Sequence, residues 1–273
     1  MHQHQIAFIG GGNMATAMIS GLTKQGFPST RIDVVEPFSD ARQRLQSYFG
    51  IAAREQADSS LERADIVIWA VKPQTFKEAA LQNQFFGPSA LHMSVAAGIP
   101  SDSIASWLGN ERVIRAMPNT PALIGKGITG LFARPAVTDA DRQHAERVIS
   151  GTGQLLWLAS EGQLDAVTAI SGSGPAYMFY FMEAMTEAGA AMGLERDQAY
   201  QLAVATFIGA GELAQTSHEP PEILRQRVTS KGGTTHAAIA SMDESHIKGL
   251  FAQALHAGHR RAVEMGQEFG KAS

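Results

Sequence analysis

At 273 residues the chain has room for two domains, and 44% hydrophobic against 18% charged residues gives it a sizeable core rather than extended disorder. A formal net charge of -4 leaves no electrostatic footprint for nucleic acid. The absence of cysteine excludes disulfides, thiolate metal sites and thiol catalysis, and suits a reducing compartment.

The apolar stretch around Ile66–Val71, about eight residues, is far too short to cross a membrane. Met1–His4 lacks the basic and apolar regions of a signal peptide, so a cytoplasmic, non-membrane protein is expected.

The first readable element is the apolar run Ile6–Ile9, the pattern of a strand buried on both faces of a parallel sheet. It stops at Gly10-Gly11-Gly12, and a helix-compatible run, Asn13–Gln25, follows. Gly10, Gly12 and Ala15 have the G-x-G-x-x-A spacing of a dinucleotide turn. There the first glycine permits the bend, the second lets pyrophosphate approach the backbone, and the small third residue lets helix and strand pack closely. A new helix start also directs unpaired N–H groups at an anion. The bland alternative is a glycine-rich turn without a ligand, but the strand before and the helix after favour the dinucleotide.

A second strand, Ile32–Val35, ends at Glu36, where a carboxylate can accept the ribose hydroxyls of the adenosine. Glu36 tilts the expectation towards NADH; an NADPH site would offer cations, and Arg42 and Arg44 fall inside the next helix. Asp65–Val71 reads as a third strand running into Lys72-Pro73, and Leu91–Ala97 as a fourth ending in small residues that a flat ring can lie against. Arg112–Ala116 is a fifth, followed by the stiff loop Met117–Pro121. Gly125–Ala133 and Gln154–Leu158 read as further strands, with a helix at Asp139–Ser150 between them. This alternation implies a doubly wound parallel sheet, a Rossmann-like α/β domain over residues 1–160.

From Glu161 onward the texture is helical, which makes residues 161–273 a second, all-α domain. Pro175–Met192 is nearly apolar all round and is expected to be buried on every side. Ala199–Thr216 is rich in Ala and Gly, and Ile247 to Phe269 keeps one apolar helical face. So few helices rarely close a core alone, so burial against a second subunit is expected. Ser171–Pro175 precedes the apolar helix, with Ser173 or Gly174 as its cap. Another helix starts at Glu219–Glu222. The helix that arrives carrying Arg225 and Arg227 breaks at Gly232-Gly233 and restarts at Thr234-Thr235, an N-terminus equipped to hold a small carboxylate; the plain alternative is a helix–helix turn. His256 and His259 share a face without a third ligand, so no metal is expected. His236 and Tyr177 are as well explained by capping and packing.

GGGNMA, AVKPQ (70–74), SVAAGI (94–99), RAMPNTPA (115–122), DAVTAISGSGPAY (165–177) and RVTSKGGTTHAAI (227–239) occur in order along nearly the whole chain. Together they resemble the pyrroline-5-carboxylate reductase family. That resemblance implies a Rossmann domain with a helical dimerisation domain, and reduction of the cyclic imine Δ1-pyrroline-5-carboxylate to L-proline by NADPH or NADH. It implies a homodimer, often in a decamer of dimers. It also implies cofactor contacts at Gly10, Gly11, Gly12, Asn13 and Met14, at Ala70, Val71, Lys72 and Pro73, and at Ala96 and Ala97. Substrate contacts fall on Glu161 and on Gly232, Gly233, Thr234 and Thr235, with Thr235 and Glu161 as the catalytic candidates. Ala57 and Glu36 depart from NADPH-preferring members, which puts the usual cofactor preference, not the reaction, in question. The β-hydroxyacid dehydrogenases share the two-domain plan, but they need a helix-borne lysine, and the helical half holds only Lys231, Lys248 and Lys271. A nucleotide-sensing protein without turnover is the remaining alternative class.

Overall fold

The computed structural model describes residues 4–83 and 86–270. Met1–Gln3 and Lys271, both used in the reading above, lie outside the described residues.

Seven strands form one sheet: β1 (Ile6–Ile9), β2 (Ile32–Val35), β3 (Ile66–Trp69), β4 (Leu91–Ser94), β5 (Val113–Met117), β6 (Gly127–Ala133) and β7 (Gly153–Trp157), in the order β2-β1-β3-β4-β5-β6-β7. The helices of this half are α1 (Asn13–Lys24), α2 (Ser39–Phe49), α3 (Pro73–Gln82), α4 (Ser101–Leu108) and α5 (Asp139–Ser150). Strands β1 to β4 are buried along their whole length; β1 and β3 are wholly apolar, as strands covered by helices on both faces require, while β2 and β4 also bury Asp33, His92 and Ser94. One core lies around Phe8, Met18, Ile19, Leu22 and Ile68, and another around Trp69, Phe76, Ile99 and Ile104.

The sheet is not wholly parallel, contrary to expectation. β1 to β5 are parallel, but β6 pairs antiparallel to β5, and β7 is parallel to β6. The reason is the link between β5 and β6, which contains only a short 3-10 turn at Thr120–Ile124. A parallel return needs a crossover of a dozen residues or more, and the stiff Pro118–Pro121 loop turns back instead. Two strands are also shorter than expected. β3 stops at Trp69 because Pro73 already opens α3, and β4 stops at Ser94, whose side-chain oxygen accepts from the Ala96 N–H (3.2 Å) and turns the chain out of the ladder.

Helix α1 crosses the turn before β7 at backbone contact: a Cβ on Gly21 would stand 2.8 Å from the Gly151 carbonyl carbon. No side chain fits between the two segments.

Among the described residues no strand follows Trp157; the chain continues as α6 (Gln163–Val167), a wide π turn at Thr168–Gly172, α7 (Gly174–Ala191), α8 (Arg196–Thr216), α9 (Pro221–Arg227), α10 (Thr234–Glu244) and α11 (Ile247–Gly270). The ISGSGP segment is therefore not a loop capping a helix but a widened helical turn leading straight into α7. Its Ser173 N–H donates to the Thr168 carbonyl at 2.8 Å. Pro175 has no N–H to offer Ser171, and the Ser171 carbonyl accepts from Asn119 Nδ2 instead (3.1 Å).

Contact density divides the chain into two compact units, Met1–Ser173 with Gly258–Ser273, and Gly174–Ala257. The division falls at Gly174, inside the helical continuation, whereas the change of texture in the sequence falls at Glu161. Within the second unit α7 packs on α8, and Phe251 sits edge-on to Tyr177 and Phe181. The expectation that α7 is buried all round does not hold for the single chain. Only Thr186 and Gly189 are buried on it, while Phe179, Tyr180 and Met185 are exposed. A few helices cannot enclose an element that is apolar on nearly every face, so the surplus is left outside. No helix is long and apolar enough to cross a membrane among the described residues.

Candidate active site

The sheet order places β1 between β2 and β3, so the chain reverses direction at β1, and the crevice beyond the carboxyl ends of β1 and β3 is the switch point of the sheet. Gly10 ends β1 there with φ +97°; a Cβ on it would stand 2.6 Å from the Ala70 carbonyl oxygen at the end of β3. Glycine is required at this position both by the left-handed backbone and by the close approach of the neighbouring strand. Gly12 is the opposite case. A Cβ there meets nothing within 4 Å, and Gly12 and Asn13 are exposed at the start of α1, which carries no side-chain cap. The first-turn amides of Asn13 and Met14 thus face open space at a helix N-terminus. An open cradle, uncapped amides and no side chain at Gly12 fit a dinucleotide pyrophosphate.

The remaining cofactor candidates share this rim of the sheet. Ala70, Val71, Lys72 and Pro73 leave β3, with Lys72 exposed as the N-cap of α3 and Pro73 in its first turn. Ala96 and Ala97 follow β4, Ala96 buried and Ala97 partly open. Glu36 ends β2 and is turned inward, only 5% exposed. Its Oε2 accepts from the Gly11 N–H at 2.7 Å and its Oε1 from the Phe38 N–H at 2.9 Å.

Glu161 lies in the same unit. Its Oε1 accepts from the Ser101 N–H (2.6 Å) and from Arg115 Nη1 (2.7 Å), and its Oε2 from the Ser101 hydroxyl (2.6 Å). Ser101 opens α4, four residues after Ala97, so a carboxylate sixty residues away in sequence caps that helix. Arg115 is 8% exposed in the middle of β5, and its Nε has no hydrogen-bond partner among the described residues. Asp165 stands beside this group. Burial pushes its carboxyl above the usual range, Arg115 and His259 pull the other way, and Glu161 adds to the rise.

Sequence reasoning did not connect Arg115 and Ser101 to Glu161, although a guanidinium inside the apolar run VIRAM announces a buried partner. Asn119, by contrast, has an internal role. Its Oδ1 accepts from the Ile128 N–H (3.0 Å) and its Nδ2 holds the Ser171 carbonyl, so it braces the loop rather than offering a free polar group.

The Gly232–Thr235 turn belongs to the other compact unit. Gly232 has φ +75°, Gly233 is the N-cap of α10, and Thr234 and Thr235 are exposed with their amides in its first turn. Arg227 is engaged by Glu219 at 2.6 Å. Among the described residues no three His, Asp or Glu side chains converge as a metal site would require.

A Rossmann-like sheet with an open cradle at its switch point, followed by a helical region, defines a two-domain dinucleotide-dependent oxidoreductase. A family model described as pyrroline-5-carboxylate reductase dimerisation matches residues 161–265, and one described as NADP oxidoreductase coenzyme F420-dependent matches residues 5–89. The chain is 43% identical to the pyrroline-5-carboxylate reductase of Pseudomonas aeruginosa over 99% of its own length and 100% of that protein's. A solved pyrroline-5-carboxylate reductase from Coxiella burnetii superposes with a TM-score of 0.87 at 36% identity, covering 96% of this chain and 98% of that one. The Plasmodium falciparum pyrroline carboxylate reductase with NADP bound gives 0.86 at 25% identity, covering 97% and 99%. The chain belongs to the pyrroline-5-carboxylate reductase family, and its dimerisation domain makes it a homo-oligomer.

Proposed function

We propose that the chain reduces Δ1-pyrroline-5-carboxylate to L-proline, the last step of proline synthesis, in the cytoplasm. The observation that carries this reading is the open cradle over Gly12 at the switch point, in a chain that matches reductases of this imine from end to end. The structure of a relative with NADP bound supports a nicotinamide cofactor at the corresponding fold.

The reduced nicotinamide supplies the hydride; the chain's own contribution is placement. Gly10 to Met14 form the pyrophosphate cradle, in which the uncapped first-turn amides of Asn13 and Met14 hold the anion while Gly10 and Gly11 shape the turn, and Ala70–Pro73 with Ala96–Ala97 form the floor beside it. Residues 1–160 serve the cofactor, and residues 161–273 serve dimerisation and substrate. In the turn 232–235, the first amides of α10 hold the ring carboxylate, and the Thr235 hydroxyl accepts the hydrogen bond of the protonated ring nitrogen. The imine carbon is already electrophilic once the nitrogen carries a proton, so alignment of two atoms about 3–3.5 Å apart supplies most of the acceleration. Glu161 acts as a positioning residue: its three hydrogen bonds to Ser101 and Arg115 fix the start of α4 behind Ala97. The homodimer, and a decamer built from it, covers the apolar surplus of α7 and α8.

The test is proline formation from pyrroline-5-carboxylate with each reduced cofactor, followed at 340 nm and by amino-acid analysis. Cofactor binding without proline formation would overturn the reading in favour of a sensor.

A further inference from the structure

The end of β2 is where the adenosine ribose lies in a fold of this kind, and its 2′ position separates NADH from NADPH. Three groups there are natural receivers for a 2′-phosphate: the Gly11 N–H, the Phe38 N–H and the Arg42 guanidinium. All three are engaged internally. The two amides donate to the two oxygens of Glu36. Arg42 Nη1 donates to the carbonyls of Glu36 (2.9 Å) and Pro37 (2.7 Å), and its Nη2 pairs with Glu55 at 3.1 Å. Arg44 stands exposed in the second turn of α2, past the residues that leave the strand.

Glu36 is held from behind as well. A Cβ on Gly11 would lie 3.2 Å from both Cβ and Cγ of Glu36 and 2.8 Å from Leu45 Cδ1, so the glycine lets the carboxylate lie flat against the loop. Each carboxylate oxygen accepts one amide and keeps a second lone pair. Those lone pairs suit the hydroxyl donors of a ribose and repel a phosphate, which near neutral pH brings only acceptors and negative charge.

We propose that Glu36, locked to the Gly11 and Phe38 amides, makes this chain select NADH over NADPH. The proposal rests on the reductase reading for its role in turnover, but the selection itself belongs to the adenosine end of the site.

Two measurements separate them. The first is kcat/KM for NADH and NADPH in imine reduction. The wild type is expected to favour NADH about tenfold or more, one charge-assisted hydrogen bond and one repulsion being at issue. Glu36→Gln removes the charge and should bring the ratio near unity; Glu36→Ser frees both amides and should favour NADPH. The second is equilibrium binding of ADP-ribose against 2′-phospho-ADP-ribose, by competition with a fluorescent nucleotide, which needs no chemistry. Wild type should bind ADP-ribose more tightly, and Glu36→Ser should reverse the order. Wild type that binds the 2′-phosphorylated ligand as well or better overturns the proposal, whatever the turnover. If neither cofactor supports reduction while ADP-ribose is still preferred, the reductase reading fails and the selectivity stands.

Discussion

Replacing Glu161 tests whether it positions α4 or handles a proton. Glu161→Ala removes the acceptor for the Ser101 N–H and hydroxyl and leaves Arg115, 8% exposed and already short of a partner at Nε, without its counter-charge. Loss of a helix N-terminal acceptor costs about 1 kcal/mol. Stranding a buried partner of an ion pair costs about 3–5 kcal/mol, reduced here because the Glu161 side chain is 27% exposed and water can follow it in. The sum is a loss of about 3–4 kcal/mol in urea unfolding, measured at one fixed protomer concentration because the chain is oligomeric. Arg115→Met should rescue much of it, and the double-mutant cycle should show coupling of about 2 kcal/mol. A positioning role also predicts that the pH profile of kcat in Glu161→Gln keeps its shape while its height drops. Coupling below about 0.5 kcal/mol, or loss of one limb of the profile, would refute the argument.

Gly12→Ala should leave stability within about 0.5 kcal/mol, since the new methyl meets no protein atom, yet raise the cofactor KM tenfold or more. Gly10→Ala should instead cost about 2 kcal/mol or more, from the contact with Ala70 and the positive φ, and thermal unfolding separates the two variants. His92 accepts from Trp69 Nε1 at 3.1 Å, and burial, with Arg112 nearby, lowers its ring from 6.5 to about 4. The unfolded chain therefore binds the extra proton between those values, so stability falls as pH drops from about 6.5 to 4, by about 3 kcal/mol in full. His92→Gln should flatten that part of the pH–stability curve. Thr235→Ala, which removes a hydrogen bond to a charged ligand worth roughly 1.5–3 kcal/mol, should lower kcat/KM about ten- to a hundredfold. An unchanged value would remove Thr235 from the site.

The parts legible in the sequence were those governed by local rules. Periodicity gave β1, β2 and α5 to the residue, because a buried strand and a boxed helix are set by their own side chains: Thr138 and Asp141 cap α5 reciprocally. The reversal at β6 was not legible, since it depends on the length of a loop rather than on any strand's composition. Nor was the wide turn at Thr168–Gly172, because its Ser and Gly residues read as a loop until Asn119 is seen taking the carbonyl that Pro175 leaves free. Within the site, the glycine spacing pointed at the cradle, but the partners of Glu36 and Glu161 come from strands and helices far away in sequence. Glu36 reads from the sequence as an acceptor for ribose hydroxyls; that the fold also gives each of its oxygens a backbone amide is not legible there.

The backbone contact between Gly21 and Gly151 reaches further than its own neighbourhood. Helix α1 presents its first turn to the cradle and rests its far end on bare main chain, like a lever seated on a fulcrum with no shim. A methyl inserted at either glycine acts as a wedge, and the tilt it forces is delivered at the opposite end, where the amides of Asn13 and Met14 must meet an anion. Mutational tolerance at a spot remote from every ligand is thereby governed by how firmly the enzyme grips its cofactor.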